Sequence, residues 1–357
     1  MSRSNTTSTV EESPMIKACS GEPVERVPVW FMRQAGRYNP RHRELYEEHG
    51  VRGITTTPEL NAEVTCLPVE DLGVDAAVMY ADIMLPLEDM GIEFHYGEGD
   101  TGPILETEIT SLEDVEELRV LEPKRGVPYI LEAVKRVKDE LPGNIPVIGF
   151  AGGPFSLSAY IIEGEASRTY PKTKKFMHNR PDAYHRLMEL LTDSIVTYLK
   201  AKASAGADCL QLFESWMGAL SPKDYDDFVR PYVGRIYREF NELSTPTLFF
   251  GTSTAGMLDL QKASGADVLG VDWRVSLGTV ADRIGTDRPI MGNLDPAFVL
   301  GPTNRMKEET RSILKAGRQF DGHIFNLGHR VPNDASVDRL KELVDFVHEQ
   351  STTLQTS

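Results

Sequence analysis

Apolar residues in this chain cluster in short unbroken runs. Eight can be read: Pro28–Met32, Ala76–Tyr80, Pro146–Phe150, Cys209–Phe213, Thr247–Phe250, Val268–Val271, Pro289–Met291 and His323–Asn326. Runs this short and this apolar are the pattern of parallel strands buried on both faces. Helix-length stretches separate most of them. In one, Tyr184, Leu187, Leu191, Ile195 and Tyr198 are spaced by three and four, which puts them on a single helical face. Another starts from Asp334 as N-cap and sets Val337, Leu340, Leu343 and Val347 on one stripe.

A joint recurs between helix and strand patterns: Gly73-Val74-Asp75, Gly206-Ala207-Asp208 and Gly265-Ala266-Asp267. Glycine just past a helix takes the left-handed conformation that stops it. Repeated joints mean repeated βα units, and eight such units close into a (β/α)8 TIM barrel. An open doubly wound sheet is the alternative, but it carries a glycine-rich phosphate loop after its first strand, and no Gly-x-Gly-x-x-Gly occurs here. The interval 81–145 is too long for one helix. Its segment 92–103 predicts a hairpin inserted after the second strand, ahead of a helix at about 111–140. Residues 1–14 are Ser/Thr-rich and predict a disordered tail; residues 15–357 predict one catalytic barrel domain.

Composition narrows the partners. The chain has 357 residues and a net charge of −16, which argues against nucleic acid or an anionic membrane. No run approaches the ~18 apolar residues of a membrane span. Three scattered cysteines, Cys19, Cys66 and Cys209, predict a reducing cytoplasm and no disulfide frame. No Cys-x-x-Cys or His-x-x-x-His pair predicts a metal site.

Against that acidity, Arg33 and Arg37 stand out, just past the first apolar run and in a turn loosened by Ala35 and Gly36. Paired arginines hold carboxylates by forked, charge-assisted hydrogen bonds. Active sites of (β/α)8 barrels form at the C-terminal ends of the strands. Reading past each run collects Arg33, Gln34 and Arg37, then Asp82, the segment Gly152–Tyr160, Glu214 with Ser215, and His329. Singly, each has a plain structural reading: a solvated arginine face, a helix cap for Asp82 or Ser215, a core tyrosine, a structural histidine. Together they fall on one end of the predicted barrel. Asp272-Trp273-Arg274 reads as an ion pair with a packed indole, and Lys172–Lys175 as a solvated helix start.

Several long motifs in order resemble the uroporphyrinogen decarboxylase family, from about Pro28 to His348. They are Trp30-Phe-Met-Arg-Gln-Ala-Gly-Arg37, Gly149–Gly164, Leu212-Phe-Glu-Ser-Trp-Met-Gly218, Val271-Asp-Trp-Arg274, Gly292-Asn-Leu-Asp-Pro296 and Asn326-Leu-Gly-His329. The resemblance implies a single (β/α)8 barrel, a homodimer, and the cofactor-free, metal-free conversion of uroporphyrinogen III to coproporphyrinogen III in haem biosynthesis. It also implies roles. Arg33 and Arg37 grip substrate carboxylates in a loop lined by Gln34, Ala35 and Gly36. Asp82 accepts the pyrrole N–H groups and favours a cationic ring. Tyr160, Ser215 and His329 bind or orient carboxylate arms, and Arg37, or a water it positions, delivers the proton.

Two positions depart from the family pattern. Arg330 follows His329 where glycine is usual, adding charge at the rim, and Ser156 stands where threonine is common. Two rival readings remain. A zinc- and corrinoid-dependent methyltransferase of the same fold would need His and Cys near the fifth strand end, where this chain has Phe249–Thr254. A non-catalytic tetrapyrrole-binding protein would need no Asp82.

Overall fold

In the computed structural model, which describes residues 9–97, 102–165 and 167–355, nine strands are present among the described residues. They are β1 (Ala77–Val78), β2 (Phe94–Tyr96), β3 (Pro103–Leu105), β4 (Val147–Gly152), β5 (Cys209–Glu214), β6 (Thr247–Gly251), β7 (Val268–Gly270), β8 (Ile290–Met291) and β9 (His323–Ile324). Seven of them form one curled parallel sheet in the order β1-β4-β5-β6-β7-β8-β9. Each sits at or inside an apolar run predicted above.

The first predicted strand, 28–32, differs. It makes only an isolated parallel bridge, Val29 to Phe325, with Trp30 N–H donating to the Phe325 carbonyl (3.3 Å) and Phe325 N–H to the Pro28 carbonyl (2.8 Å). On its other side, most of the pairing is done by side chains. Asp75 N–H donates to the Val29 carbonyl (2.7 Å), but Val29 N–H is met by the Asp75 carboxylate (2.7 Å) and the Ala76 carbonyl by the Gln34 amide (2.9 Å). The segment thus lies between the two edges of the sheet without a regular ladder to either.

Side chains alternate between two cores, as period-two strands require. Trp30, Met32, Ala76, Val78, Ile148, Phe150, Leu248, Phe250, Met291 and Ile324 form one buried cluster; Val147, Ala151 and Phe249 belong to the other, against the helices. The first cluster also takes in Met15, Ala18 and Cys19 of the helix Pro14–Cys19. That helix is capped by buried Ser13 and preceded by a 3-10 turn, Val10–Glu12. Residues 9–14 of the expected tail are thus part of the described fold, and residues 1–8 lie outside the described residues.

The three Gly-x-Asp joints share one construction. Gly73, Gly206 and Gly265 all have positive φ, at 73°, 117° and 95°. The aspartate that follows each accepts a backbone N–H from the start of a neighbouring run: Asp75 from Val29 (2.7 Å), Asp208 from Val147 (2.8 Å), Asp267 from Thr247 (2.8 Å). Glycine turns the chain at or just past the helix end, and aspartate ties the start of the following run to that of an earlier, neighbouring one.

β2 and β3 pair antiparallel in the segment expected to form a hairpin; residues 98–101 between them lie outside the described residues. The helix expected at 111–140 is three helices, Leu112–Glu116, Pro123–Gly126 and Pro128–Glu140, since Pro123 and Pro128 each restart the chain at a helix N-terminus. The last helix begins at Val337, and Ser336, not Asp334, receives the first free N–H, from Arg339.

Candidate active site

The turn after the 28–32 segment is set by Gln34. Its side chain accepts from Phe31 N–H (3.1 Å) and donates to the Ala76 carbonyl (2.9 Å), and its own carbonyl takes the Tyr38 hydroxyl (2.5 Å). Gln34 is only 1% exposed, and its side chain is spent on backbone and gives the loop its shape. Arg33, one residue earlier, is exposed and left-handed, with φ 56°. A non-glycine residue there costs about 1–2 kcal/mol. The special conformation was expected at Ala35 and Gly36; it falls on the arginine itself, which points out of the turn while Gln34 points in. Ala35 and Gly36 are half-buried, and a Cβ on Gly36 would meet the Arg33 carbonyl at 3.1 Å.

Asp82 follows β1. Its Oδ1 accepts Met84 N–H at 2.9 Å. Burial pushes its carboxyl above the ordinary value, opposed by that hydrogen bond and by the Arg33 charge. Tyr160 lies on the helix Pro154–Glu163, its ring edge-on to Trp216 at 4.5 Å. β3 starts beside it, since a Cβ on Gly102 would stand 3.6 Å from the Tyr160 hydroxyl. Ser215, half-buried, follows β5, and its carbonyl accepts the Thr252 hydroxyl (2.5 Å). His329 follows β9, with its ring 6.5 Å from Phe250 and 6.3 Å from Trp273.

Arg33 connects these residues. Its charge reaches Asp82, Tyr80, Tyr160 and His329. His329 is driven down to about 4, by burial first and then by Arg33, Arg330 and Arg274. It is a neutral imidazole among guanidiniums. Arg37 stands over the Tyr46 ring at 5.3 Å, and its charge reaches Tyr80 and His42. Both arginines thus act on Tyr80, two residues before Asp82. Arg33, Asp82, Tyr160 and His329 come together; Arg37 joins through Tyr80, and Ser215 through its neighbour Trp216.

Asp272-Trp273-Arg274 is built as the sequence predicts: Arg274 Nη1 meets Asp272 Oδ2 at 2.6 Å and lies 3.8 Å over the indole. Its cation still reaches His329. Two further residues at this end had no role in the sequence reading. Glu214 is fully buried and holds the start of the Tyr160 helix. His42 is 2% exposed with neither ring nitrogen hydrogen-bonded. Its sequence signal was the i, i+4 relation to Tyr46, whose ring is 6.2 Å away. Among the described residues, no three His, Cys, Asp or Glu side chains are grouped to hold a metal.

A family model described as uroporphyrinogen decarboxylase (URO-D) matches residues 11–350. The chain belongs to the uroporphyrinogen decarboxylase family. A uroporphyrinogen decarboxylase of Carboxydothermus hydrogenoformans is 44% identical over 338 residues, covering 94% of this chain and 96% of that one. That of Bacillus subtilis is 44% identical over 336 residues, covering 94% of each. Among solved structures, a methyltransferase from Methanosarcina mazei superposes with a TM-score of 0.81 at 22% identity, over 96% of this chain and 99% of that one. At that identity the likeness is one of fold alone.

Proposed function

We propose that this protein removes the four acetate carboxyl groups of uroporphyrinogen III, giving coproporphyrinogen III and carbon dioxide, with no metal and no organic cofactor. The observation that carries the reading is the convergence of Arg33 on Asp82, Tyr160 and His329 in a chain with family identity along nearly all its length. The working fold is one closed (β/α)8 domain over 15–357. Segment 28–32 supplies the first stave, and the β2–β3 pair is an insertion after the second. The reading extends to a cytoplasmic homodimer, which sedimentation at assay concentration checks.

The pyrrole serves as its own electron sink. A proton adds to the ring carbon next to the one bearing the acetate and leaves the ring cationic. The bond from methylene to carboxylate then breaks, carbon dioxide departs, and the electron pair forms an exocyclic double bond that quenches the cation. A second proton adds to the methylene, the ring carbon loses the first, and a methyl group on an aromatic ring remains. Each arm consumes one proton net. Asp82 accepts the pyrrole N–H groups and stabilises the cationic ring electrostatically. Arg33 and Arg37 hold substrate carboxylates, each contact worth ~1.5–3 kcal/mol. Ala35 and Gly36 let the loop approach, Gln34 shapes it, and Tyr160, Ser215 and His329 orient the arms. Arg37, or a water it positions, delivers the proton. The methyltransferase alternative lacks its ligands, since Phe249–Thr254 holds no His or Cys.

The test is turnover of freshly generated uroporphyrinogen III in the dark, with products oxidised and separated by carboxylate count. Wild type should give a ladder from eight carboxylates to four. Asp82→Asn should fold, bind substrate and lose at least about a hundredfold in kcat, within the range for removing one preorganised electrostatic group. A wild type that binds substrate and releases no carbon dioxide sinks the reading.

A further inference from the structure

Glu214 has no part in the reaction as proposed, yet its environment is specific. It ends β5 with no solvent exposure and no salt bridge among the described residues. Its carboxylate accepts Phe155 N–H (3.0 Å), Ser156 N–H (2.6 Å) and the Ser156 hydroxyl (2.6 Å). All three donors lie in the first turn of the helix Pro154–Glu163, whose own N-cap, Gly153, has no side chain to offer. The cap comes instead from the neighbouring strand, 58 residues away. Glycine at 153 is what permits this approach, because a Cβ there would lie 2.4 Å from Glu214 Oε2. A backbone bond from Gly153 N–H to the Phe213 carbonyl (2.8 Å) fastens the same joint. The motifs Gly152-Gly-Pro-Phe-Ser156 and Phe213-Glu-Ser215 are therefore two halves of one clamp.

The clamp ends on two residues of the site. Tyr160 stands four positions past Ser156, one turn along the same helix. Ser215 is the next residue after Glu214, and Trp216 after it packs on the Tyr160 ring at 4.5 Å. We propose that Glu214 is a positioning residue that sets Tyr160 and Ser215 toward the substrate by capping the Tyr160 helix from the adjacent strand. The inference rests on the decarboxylase reading. An anionic acceptor with three donors at a helix N-terminus is a strong, directional joint. Burial pushes the carboxyl up to about 7 against the pull of its three donors, so the joint titrates near neutral pH. The other titratable side chains whose charge it reaches are Tyr184, Tyr225 and Tyr237, all pushed up by burial and neutral there.

A cap that only stabilised the fold would change melting and leave kinetics alone, so the test is a double-mutant cycle in kinetics. Glu214→Gln, Tyr160→Phe and the double variant are compared in KM, kcat and pH profile. Glu214→Gln should raise KM about tenfold with a smaller change in kcat, as displaced binding groups do. The double variant should be no worse than the worse single one. The wild-type loss of kcat/KM as pH falls through about 7 should vanish in Glu214→Gln. Effects that multiply independently, or a lowered melting temperature with unchanged KM, overturn the proposal. If Glu214→Gln fails to fold, Ser156→Ala removes one donor without touching the buried charge, and its cycle with Tyr160→Phe must be non-additive in the same sense. Binding of uroporphyrin, followed by fluorescence, runs through the same cycle as a dissociation constant. Binding without turnover in wild type would sink the decarboxylase reading, while the cycle in binding still judges Glu214.

Discussion

Gln34→Ala separates two jobs that the sequence joined. In the sequence reading Gln34 lines a carboxylate-binding loop; in the structure its amide holds two buried backbone groups, Phe31 N–H and the Ala76 carbonyl. Truncation leaves both without partners, at about 1–3 kcal/mol each. Release of the left-handed Arg33 returns about 1–2 kcal/mol. Central values, about 4 kcal/mol lost and about 1.5 kcal/mol returned, leave a net loss of about 2.5 kcal/mol. A chain of 357 residues has an unfolding entropy near 0.7 kcal/mol per kelvin, so Tm should fall by about 3–5 °C. Once its turn relaxes, Arg33 no longer faces Asp82 and His329, so KM should rise as well. Scanning calorimetry and steady-state kinetics on the same preparation make the check. A raised KM with unchanged Tm would mean that the amide contacts substrate, and the scaffold argument would be refuted.

His42→Phe should stabilise the protein. It removes two unpaired buried nitrogens at about 1–2 kcal/mol net, read as a higher denaturation midpoint at pH 8. The gain should grow in acid. Burial first, then Arg37, holds His42 at about 4, below the ordinary 6.5, so the unfolded chain takes the proton first and wild type loses stability as pH falls from about 6.5 toward 4. Equal gains at pH 8 and pH 5 would contradict this. Arg330→Gly should let His329 titrate higher than about 4 but still below 6.5, because burial, the larger cause, is untouched; imidazole NMR shifts across pH read it directly. The same change should raise KM about two- to fivefold, the worth of one exposed charge contact. An unmoved His329 titration would put Arg330 out of range of the site.

The sheet was legible because buried parallel strands leave little choice of composition: seven of eight runs became strands at nearly the positions read. The eighth forms an isolated bridge in place of a regular strand, for a physical reason. Segment 28–32 has the same apolar pattern, but the Asp75 carboxylate accepts its Val29 N–H and the Gln34 amide donates to the neighbouring Ala76 carbonyl, where a ladder would use backbone, and periodicity cannot register that substitution. The helix at 111–140 was misread for a reason the sequence did contain, since Pro123 and Pro128 mark helix starts. In the site, Arg33, Asp82, Tyr160 and His329 could be collected by one rule, that function lies past strand ends. Glu214 passed the same rule but received no role, because its role depends on a helix 58 residues earlier. His42 failed the rule, lying inside a helix, and only packing brings it to Tyr80 at 5.4 Å.

The charge arrangement explains how an acidic protein can accept an anion. A net charge of −16 spread over the surface is screened within about 8 Å at physiological salt. The guanidiniums of Arg33, Arg330 and Arg274 all act on His329, whose own burial weakens its screening. Burial first, and these cations with it, keep the imidazole neutral, a form that can donate one hydrogen bond to a carboxylate without competing for the charge. Asp82 is the exception, a carboxyl among cations whose anionic form depends on Met84 N–H and Arg33. In the proposed reaction a substrate carboxylate occupies Arg33, and that support for the Asp82 anion weakens unless other donors replace it. The pyrrole N–H groups are such donors. In the proposed reaction, binding thus exchanges one source of stabilisation for another at Asp82, and a reduced ring bearing four N–H groups supplies the most of it. A porphyrin, with two of its four nitrogens unprotonated, offers half as many donors. Uroporphyrin should therefore bind more weakly than uroporphyrinogen to wild type, and Asp82→Asn should narrow that difference. Equal affinities in wild type would refute the exchange.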